Sequence, residues 1–283
     1  MGTLSTYLSF VRFSHSVFAL PFAFTGALLA WRFTPFAWWQ VGWIVVCMVG
    51  ARSAAMGFNR VVDARYDALN PRTAMREIPR GALSHRQGVF FVVVSSAIFI
   101  AGAWQLNPVC GALAPFALGI VFWYSLAKRV TSYTQFFLGL AMAVAPVGGW
   151  LAAGGGQGAE PWWLALAIGL WVGGFDILYA CQDVDFDRAH GLHSIPARYG
   201  VARAILFSRL MHVATIAAMV MVGASAGLPG LYFAGVAAVA ALLCYEQSLV
   251  AHDDLSQVKR AFDLNGYVGV VYLAATAASL YVG

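Results

Sequence analysis

Apolar residues run along this chain in long unbroken blocks, parted by short polar stretches. Blocks at 16–32, 37–58, 89–106, 109–127, 135–153, 162–182, 204–226, 229–249 and 265–282 each approach the ~20 residues that a helix needs to cross a bilayer. They are continuous rather than alternating, so the pattern predicts helices and not a barrel. The expected fold is all-α: a polytopic membrane protein of nine transmembrane helices in a single embedded domain over residues 1–283. Only Arg12 and His15 supply basic groups ahead of the first block, and no small-residue cleavage site follows it. That block reads as an anchor helix and not as a secretory signal.

Composition agrees. The chain is 61% hydrophobic and 10% charged, where soluble domains are about a quarter charged. The net charge of +5 is informative as a map. With the N-terminus in the cytoplasm, the inner side receives Arg12, the arginines from Arg60 to Arg86, Lys128, Arg129, Arg188, Arg198, Arg203, Lys259 and Arg260. The outer loops then hold only Arg32. This is the positive-inside distribution, and it leaves no basic surface for a nucleic-acid partner to explain. The expected location is the inner cell membrane. Cys47, Cys110, Cys181 and Cys244 lie in or near apolar runs without metal or disulfide spacing, and read as small buried residues.

The outer loops are bland, so any chemistry belongs on the cytoplasmic face. Two acidic constellations stand there. Asn59, Asp63 and Asp67 are spaced by four, and at ~100° per residue they share an arc of ~80° on one helix. Arg52, seven residues earlier, falls within ~20° of that stripe. Asp176, Asp183 and Asp187 repeat the spacing of seven and then four seen from Arg52 through Asn59 to Asp63. On a continuous helix they too share a face, with Tyr179 bordering it and Asp185 turned ~160° away from Asp183. Ionisable groups at membrane depth are costly and usually functional. Carboxylate and amide oxygens suit Mg²⁺, which takes one or two carboxylates together with water and phosphate oxygens. Two such stripes would clamp a diphosphate through bridging metals, with Arg72, Arg80, Lys128 and Arg129 neutralising the remaining charge. Glu77, Asp185, Asp253, Asp254 and Asp263 read as solvated surface, and His190 and His193 lack a partner ligand at metal spacing. A cation-coupled transporter or a lipid-diphosphate binding protein is the competing class. A transporter usually places isolated acids near the midplane, whereas these cluster at inner helix ends beside basic loops. A lipid-diphosphate phosphatase would want a nucleophile, and neither stripe carries a histidine.

The stretch Asn59-x-x-x-Asp63-x-x-x-Asp67, followed by Asn70-Pro71-Arg72-Thr73 and Arg76-Glu77-Ile78-Pro79-Arg80-Gly81, resembles the first signature of the UbiA family of intramembrane aromatic prenyltransferases. The stretch Asp176-x-x-Tyr179-x-x-x-Asp183-x-x-x-Asp187, with Ser194 and Gly200 beyond it, resembles the second. Tyr124-Ser125-Leu126-Ala127-Lys128-Arg129 is similar to that family's basic motif. The repeated spacing of seven and four, four helices apart, fits a parallel duplication and so two four-helix halves, and the resemblance implies a central cavity. It also implies Mg²⁺-dependent transfer of a polyprenyl group from an allylic polyprenyl diphosphate to an aromatic quinone precursor. Asn59, Asp63, Asp67, Asp183 and Asp187 would hold the metal, with Asp63, Asp67, Asp183, Asp187 and Lys128 as the catalytic set. Arg72, Arg80, Lys128 and Arg129 would bind the diphosphate. Arg52, Asp176, Tyr124 and Tyr179 would border the pocket, the tyrosines sheltering an allylic cation, and Arg12 and His15 would meet the acceptor. The family usually has an acid after the first asparagine; here Arg60 stands there. The pattern is nearest the 4-hydroxybenzoate branch and the enzymes of the futalosine menaquinone route. The expected acceptor is 4-hydroxybenzoate, with 1,4-dihydroxy-6-naphthoate as the alternative.

Overall fold

The computed structural model describes residues 3–10 and 19–282. All regular structure among them is helical: α1 (Thr3–Phe10), α2 (Leu20–Ala30), α3 (Trp38–Leu69), α4 (His85–Leu106), α5 (Pro108–Ala127), α6 (Thr134–Ala152), α7 (Glu160–Ala180), a 3₁₀ turn (Cys181–Asp183), α8 (Val184–Ala189), α9 (Ile195–Tyr199), α10 (Val201–Ala226), α11 (Gly230–Ser248) and α12 (Val258–Val282). Among the described residues seven helices are long and apolar enough to cross a membrane, with α7 and α8 counted together as one run. α2 is apolar but only 11 residues long, and the expected block at 265–282 forms the body of the 25-residue α12.

The chain forms two compact units. The first holds α1, α3, α4 and most of α5; the second holds α2 and everything from Ala127 onward. This grouping differs from two four-helix halves. α2 belongs to the second unit, where it packs on α6, α7 and α12, and the reason is close packing of small residues. A Cβ added at Gly26 would strike the carbonyl of Pro146, and one at Gly149 would strike that of Ala23. Likewise a Cβ at Gly139 of α6 would meet the carbonyl of Gly169 on α7. Helices in lipid gain little from hydrophobicity, so backbone approach of this kind, with polar side chains as glue, holds them together. The second unit supplies that glue. Trp171 Nε1 donates to Asn265 Oδ1 at 2.7 Å, and Asn265 Nδ2 donates to Glu246 Oε1 at 3.1 Å. Gln247 Nε2 donates to Ser208 Oγ at 2.7 Å.

In the first unit α3 is the organiser. It runs 32 residues because nothing in its sequence breaks it until Pro71, which forces Asn70 into extended backbone (φ −91°, ψ 118°). α4 opposes it and starts with a capping box: Ser84 Oγ accepts from Gln87 N at 3.2 Å, and Gln87 Oε1 accepts from Ser84 N at 2.8 Å. Phe10 of α1 is fully buried and, with Leu83, forms a small core against Tyr7, Met56, Ile78 and Phe91. α1, the loop after α3 and α4 are thereby sewn to the same end of α3.

Gly149→Ala is expected to destabilise the protein by about 1–3 kcal/mol, because an added methyl meets a backbone carbonyl that has no rotamer in which to yield. Gly42→Ala, where a Cβ meets nothing, is the control. Melting points of the two variants in detergent check the difference.

Candidate active site

The first motif lies on the last turns of α3. Trp38 and Trp39 open that helix as exposed aromatics, the usual mark of a membrane–water interface. Asp63 lies 24 residues beyond Trp39, ~36 Å along the axis at 1.5 Å per residue. The hydrocarbon core is ~30 Å thick, so the motif reaches the opposite interface. Even so Asp63 is only 1% exposed and Asp67 5%. Asn59 Nδ2 donates to Asp63 Oδ2 at 3.2 Å and to Ser125 Oγ of α5 at 3.4 Å. Both bonds use the amide nitrogen; the amide oxygen makes neither. Asp67 is held differently. Arg76 Nη1 donates to its Oδ1 at 2.7 Å and its Oδ2 at 2.8 Å, and Thr73 Oγ1 donates to its backbone oxygen at 3.1 Å.

The loop after α3 is hydrogen-bonded throughout. Asn70 Oδ1 accepts from Arg72 N at 3.0 Å, closing an Asx turn. Backbone bonds then run from Thr73 to Asn70, Arg76 to Thr73, Arg80 to Arg76, Gly81 to Ile78 and Leu83 to Glu77. Gly81 takes the positive φ (76°) that the last turn requires. Arg72 and Arg80 are exposed on this loop and Arg52 is half-buried on α3. Glu77, expected as solvated surface, is instead buried, and its Oε1 accepts from Ser9 Oγ at 2.6 Å. Arg60, the departure from the family pattern, is buried too. Its Nε donates to the carbonyl of Phe10 of α1 at 3.4 Å. Arg12 and His15 lie outside the described residues.

The second motif belongs to the other unit, and its backbone corrects the helical arithmetic. α7 ends at Ala180, a 3₁₀ turn covers Cys181–Asp183, and α8 begins at Val184. Asp183 has φ −107° and ψ 9°. A 3₁₀ turn advances ~120° per residue instead of ~100°, so three steps rotate Asp183 by ~60° from the place a continuous helix would give it beside Asp176. The two motifs share spacing without sharing local backbone. Asp176, Asp183 and Lys128 are still near neighbours, for Asp183 and Lys128 are the charges that Asp176 feels. Tyr179, half-buried, packs on Phe262 with ring centroids 4.8 Å apart. Asp187 Oδ2 accepts from Ser194 Oγ at 2.9 Å, and its backbone oxygen accepts from Leu192 N at 2.8 Å. His193 N donates to the carbonyl of Lys128 at 2.8 Å, tying the loop to the basic motif. Asp185 is exposed. His190 stacks on Phe186 and bonds its carbonyl. An open cleft of about 370 Å³ beside this loop is lined by Ser132, Arg188, Leu192, His193, Ser194, Ala197 and Arg198.

In the first unit Tyr124 is half-buried on α5, one residue before Ser125. In the second, Arg129 is half-buried directly after Lys128. Ser125 and Arg76 are the contacts that spacing alone did not single out. Both stand inside the quoted motifs, but only a folded loop shows that Arg76, nine residues on, reaches Asp67. Among the described residues no three His, Cys, Asp or Glu side chains come together as a metal site.

The profile of the UbiA prenyltransferase family matches residues 19–271. The chain belongs to the UbiA prenyltransferase family. It is a prenyltransferase of the membrane. It is 31% identical over 233 residues to a 4-hydroxybenzoate octaprenyltransferase of Xanthomonas campestris pv. campestris, covering 81% of this chain and 76% of that one. It is 30% identical over 238 residues to the protein of that name from Vibrio parahaemolyticus, covering 82% of each. Among solved structures, a UbiA homologue from Aeropyrum pernix K1 superposes with a TM-score of 0.86 at 35% identity, covering 94% of this chain and 98% of that one. A UbiA homologue from Archaeoglobus fulgidus, solved with GPP and Mg²⁺ bound, shares the fold with a TM-score of 0.75 at 18% identity, covering 98% and 99%.

Ser194 both caps α9, accepting from Ala197 N at 3.3 Å, and donates to Asp187. Ser194→Ala is expected to cost about 1 kcal/mol through the lost cap and to lower prenyl transfer, while Ser194→Thr keeps both. Melting points and initial rates of the two variants, read side by side, decide it.

Proposed function

We propose that the enzyme transfers a polyprenyl group from an allylic polyprenyl diphosphate to 4-hydroxybenzoate, on the cytoplasmic side of the inner membrane. The observation that carries the acceptor is the match, at 30–31% identity over about four fifths of this chain, to relatives named 4-hydroxybenzoate octaprenyltransferase. The charge map of the loops supports the side of the membrane. The whole chain serves this one reaction as a single functional domain.

The residues present fit Mg²⁺. Asp63 is buried beside an asparagine whose amide oxygen is left out of the bonds to Asp63 and Ser125. The donors are hard oxygens, and this ion needs only one or two carboxylates once water and phosphate complete its shell. The absence of a ready three-acid cluster is therefore no obstacle. In this reading Asn59, Asp63 and Asp67 from the first motif, and Asp183 and Asp187 from the second, hold the metal. When bound, it neutralises the charge of the departing diphosphate. Lys128 and Arg129 follow α5 directly and supply further positive charge, with Arg72 and Arg80 from the loop. The C–O bond of the substrate lengthens towards an allylic cation, and Tyr124 and Tyr179 offer π faces to it. The arene attacks ortho to its hydroxyl and then loses the proton of that carbon. Apolar surroundings exclude the water that would otherwise capture the cation. Arg52 and Asp176 border the pocket, and Arg12 and His15 meet the acceptor's carboxylate.

The alternative acceptor is 1,4-dihydroxy-6-naphthoate, because Arg60 together with the stretch from Asn70 to Gly81 resembles a branch that holds both the 4-hydroxybenzoate enzymes and those of the futalosine menaquinone route. The test is purified protein in detergent with geranylgeranyl diphosphate, Mg²⁺ and each acceptor in turn, the product read by mass spectrometry. Prenylated 4-hydroxybenzoate is expected; product from the naphthoate alone would transfer the assignment. Asp63→Ala and Asp183→Ala are each expected to lose more than the ~10–100-fold typical of outer-shell partners of a metal, while remaining folded. Asp185→Asn is expected to keep most activity. Full activity in either alanine variant would remove the metal assignment.

A further inference from the structure

Both oxygens of Asp67 are taken by one nitrogen of Arg76. A guanidinium normally meets a carboxylate as a fork, two nitrogens on two oxygens. Here Nη1 does all the work, and Nε is buried with no hydrogen-bond partner. The side chain is only 20% exposed and Asp67's only 7%, so water does not readily make good the deficit. Arg76 is thus a cation that satisfies Asp67 while leaving one of its own buried donors unsatisfied, which is the state of a group awaiting a second acceptor. Its backbone cannot swing to find one: Arg76 N bonds Thr73 O, Arg76 O accepts from Arg80 N, and the adjoining Glu77 is fastened to Ser9. Only the side chain is able to move.

We propose that Arg76 is a removable counter-ion for Asp67. It occupies the carboxylate before metal binds, yields it to Mg²⁺, and turns its guanidinium to the incoming diphosphate. This rests on the reading of the first motif as a metal face. It reconciles that reading with an Asp67 already paired, since a divalent ion and a guanidinium compete for the same two oxygens. The exchange makes metal and diphosphate help one another: the metal releases the cation that the phosphate needs, and linkage requires the converse. No covalent step is involved, and the charge on the loop is conserved.

The test uses Mn²⁺ as a spectroscopic probe, its binding followed by electron paramagnetic resonance on the whole protein in detergent, with and without inorganic pyrophosphate. Arg76→Gln is expected to bind Mn²⁺ several-fold more tightly than the unaltered protein when pyrophosphate is absent. It is expected to bind pyrophosphate about tenfold more weakly when Mn²⁺ is present, within the ~5–150-fold range of ordinary coupling. In Asp67→Asn/Arg76→Gln the gain in metal affinity should vanish. A second measurement needs no variant. Phenylglyoxal labelling of Arg76, read by peptide mass spectrometry, should rise with Mg²⁺ alone and fall when pyrophosphate is added. Unchanged Mn²⁺ affinity in Arg76→Gln, or labelling indifferent to Mg²⁺, overturns the exchange. Asp63→Asn separates the two levels. If it abolishes Mn²⁺ binding while Arg76→Gln changes nothing, only the counter-ion role fails; if it leaves binding intact, the metal face itself is wrong and the exchange falls with it.

Discussion

A carboxylate carried to the end of a membrane helix and closed off from water has to be matched by a donor, and the first unit is arranged around that requirement. Three carboxylates are buried within fifteen residues: Asp63, Asp67 and Glu77. Each has a different answer. Asp63 takes an amide from Asn59 on its own helix, Asp67 a guanidinium from the following loop, and Glu77 a hydroxyl from α1. Breaking one partner of a buried pair leaves an uncompensated charge, which costs far more than the pair itself contributes. The loop after α3 supplies one member of two of these pairs, Arg76 for Asp67 and Glu77 for Ser9.

The same logic explains Arg60. A cation on the buried side of α3 would be expensive alone, and the carbonyl of Phe10 gives it an acceptor. Phe10 also closes the small core with Leu83. Arg60 therefore ties α1 to the motif helix, a structural use of a position where the family usually carries acid. In the second unit the polar groups serve helix packing: Glu246, Asn265 and Trp171 link α11, α12 and α7, while Gln247 and Ser208 link α11 to α10.

Much of the second motif depends on a departure from regular helix. Asp187 is fastened by Ser194 from the start of α9, and the loop between them is pinned by His193 to the carbonyl of Lys128. The basic motif thus contributes backbone as well as charge. The 3₁₀ turn at Cys181–Asp183 is the device that lets α7 hand over to α8 without sending Asp183 where an unbroken helix would.

Apolar block length by itself determined that the chain is helical and membrane-bound, because a bilayer leaves the backbone no partner but its own helix. Spacing determined which acids of the first motif share a face, because α3 is regular from Trp38 to Leu69. The motif residues pointed to the family that the profile match over residues 19–271 then showed. Other features were invisible in one dimension. Arg76 meets Asp67, and Glu77 meets Ser9 sixty-eight positions away, only because a turn-rich loop folds back on its helix. The 3₁₀ turn breaks the run between α7 and α8, and no periodicity announces it. The membership of α2 in the second unit was decided by which glycines let two backbones touch. Local periodicity follows from the geometry of one helix, whereas partner choice for a buried charge follows from what the rest of the chain brings within three ångströms of it.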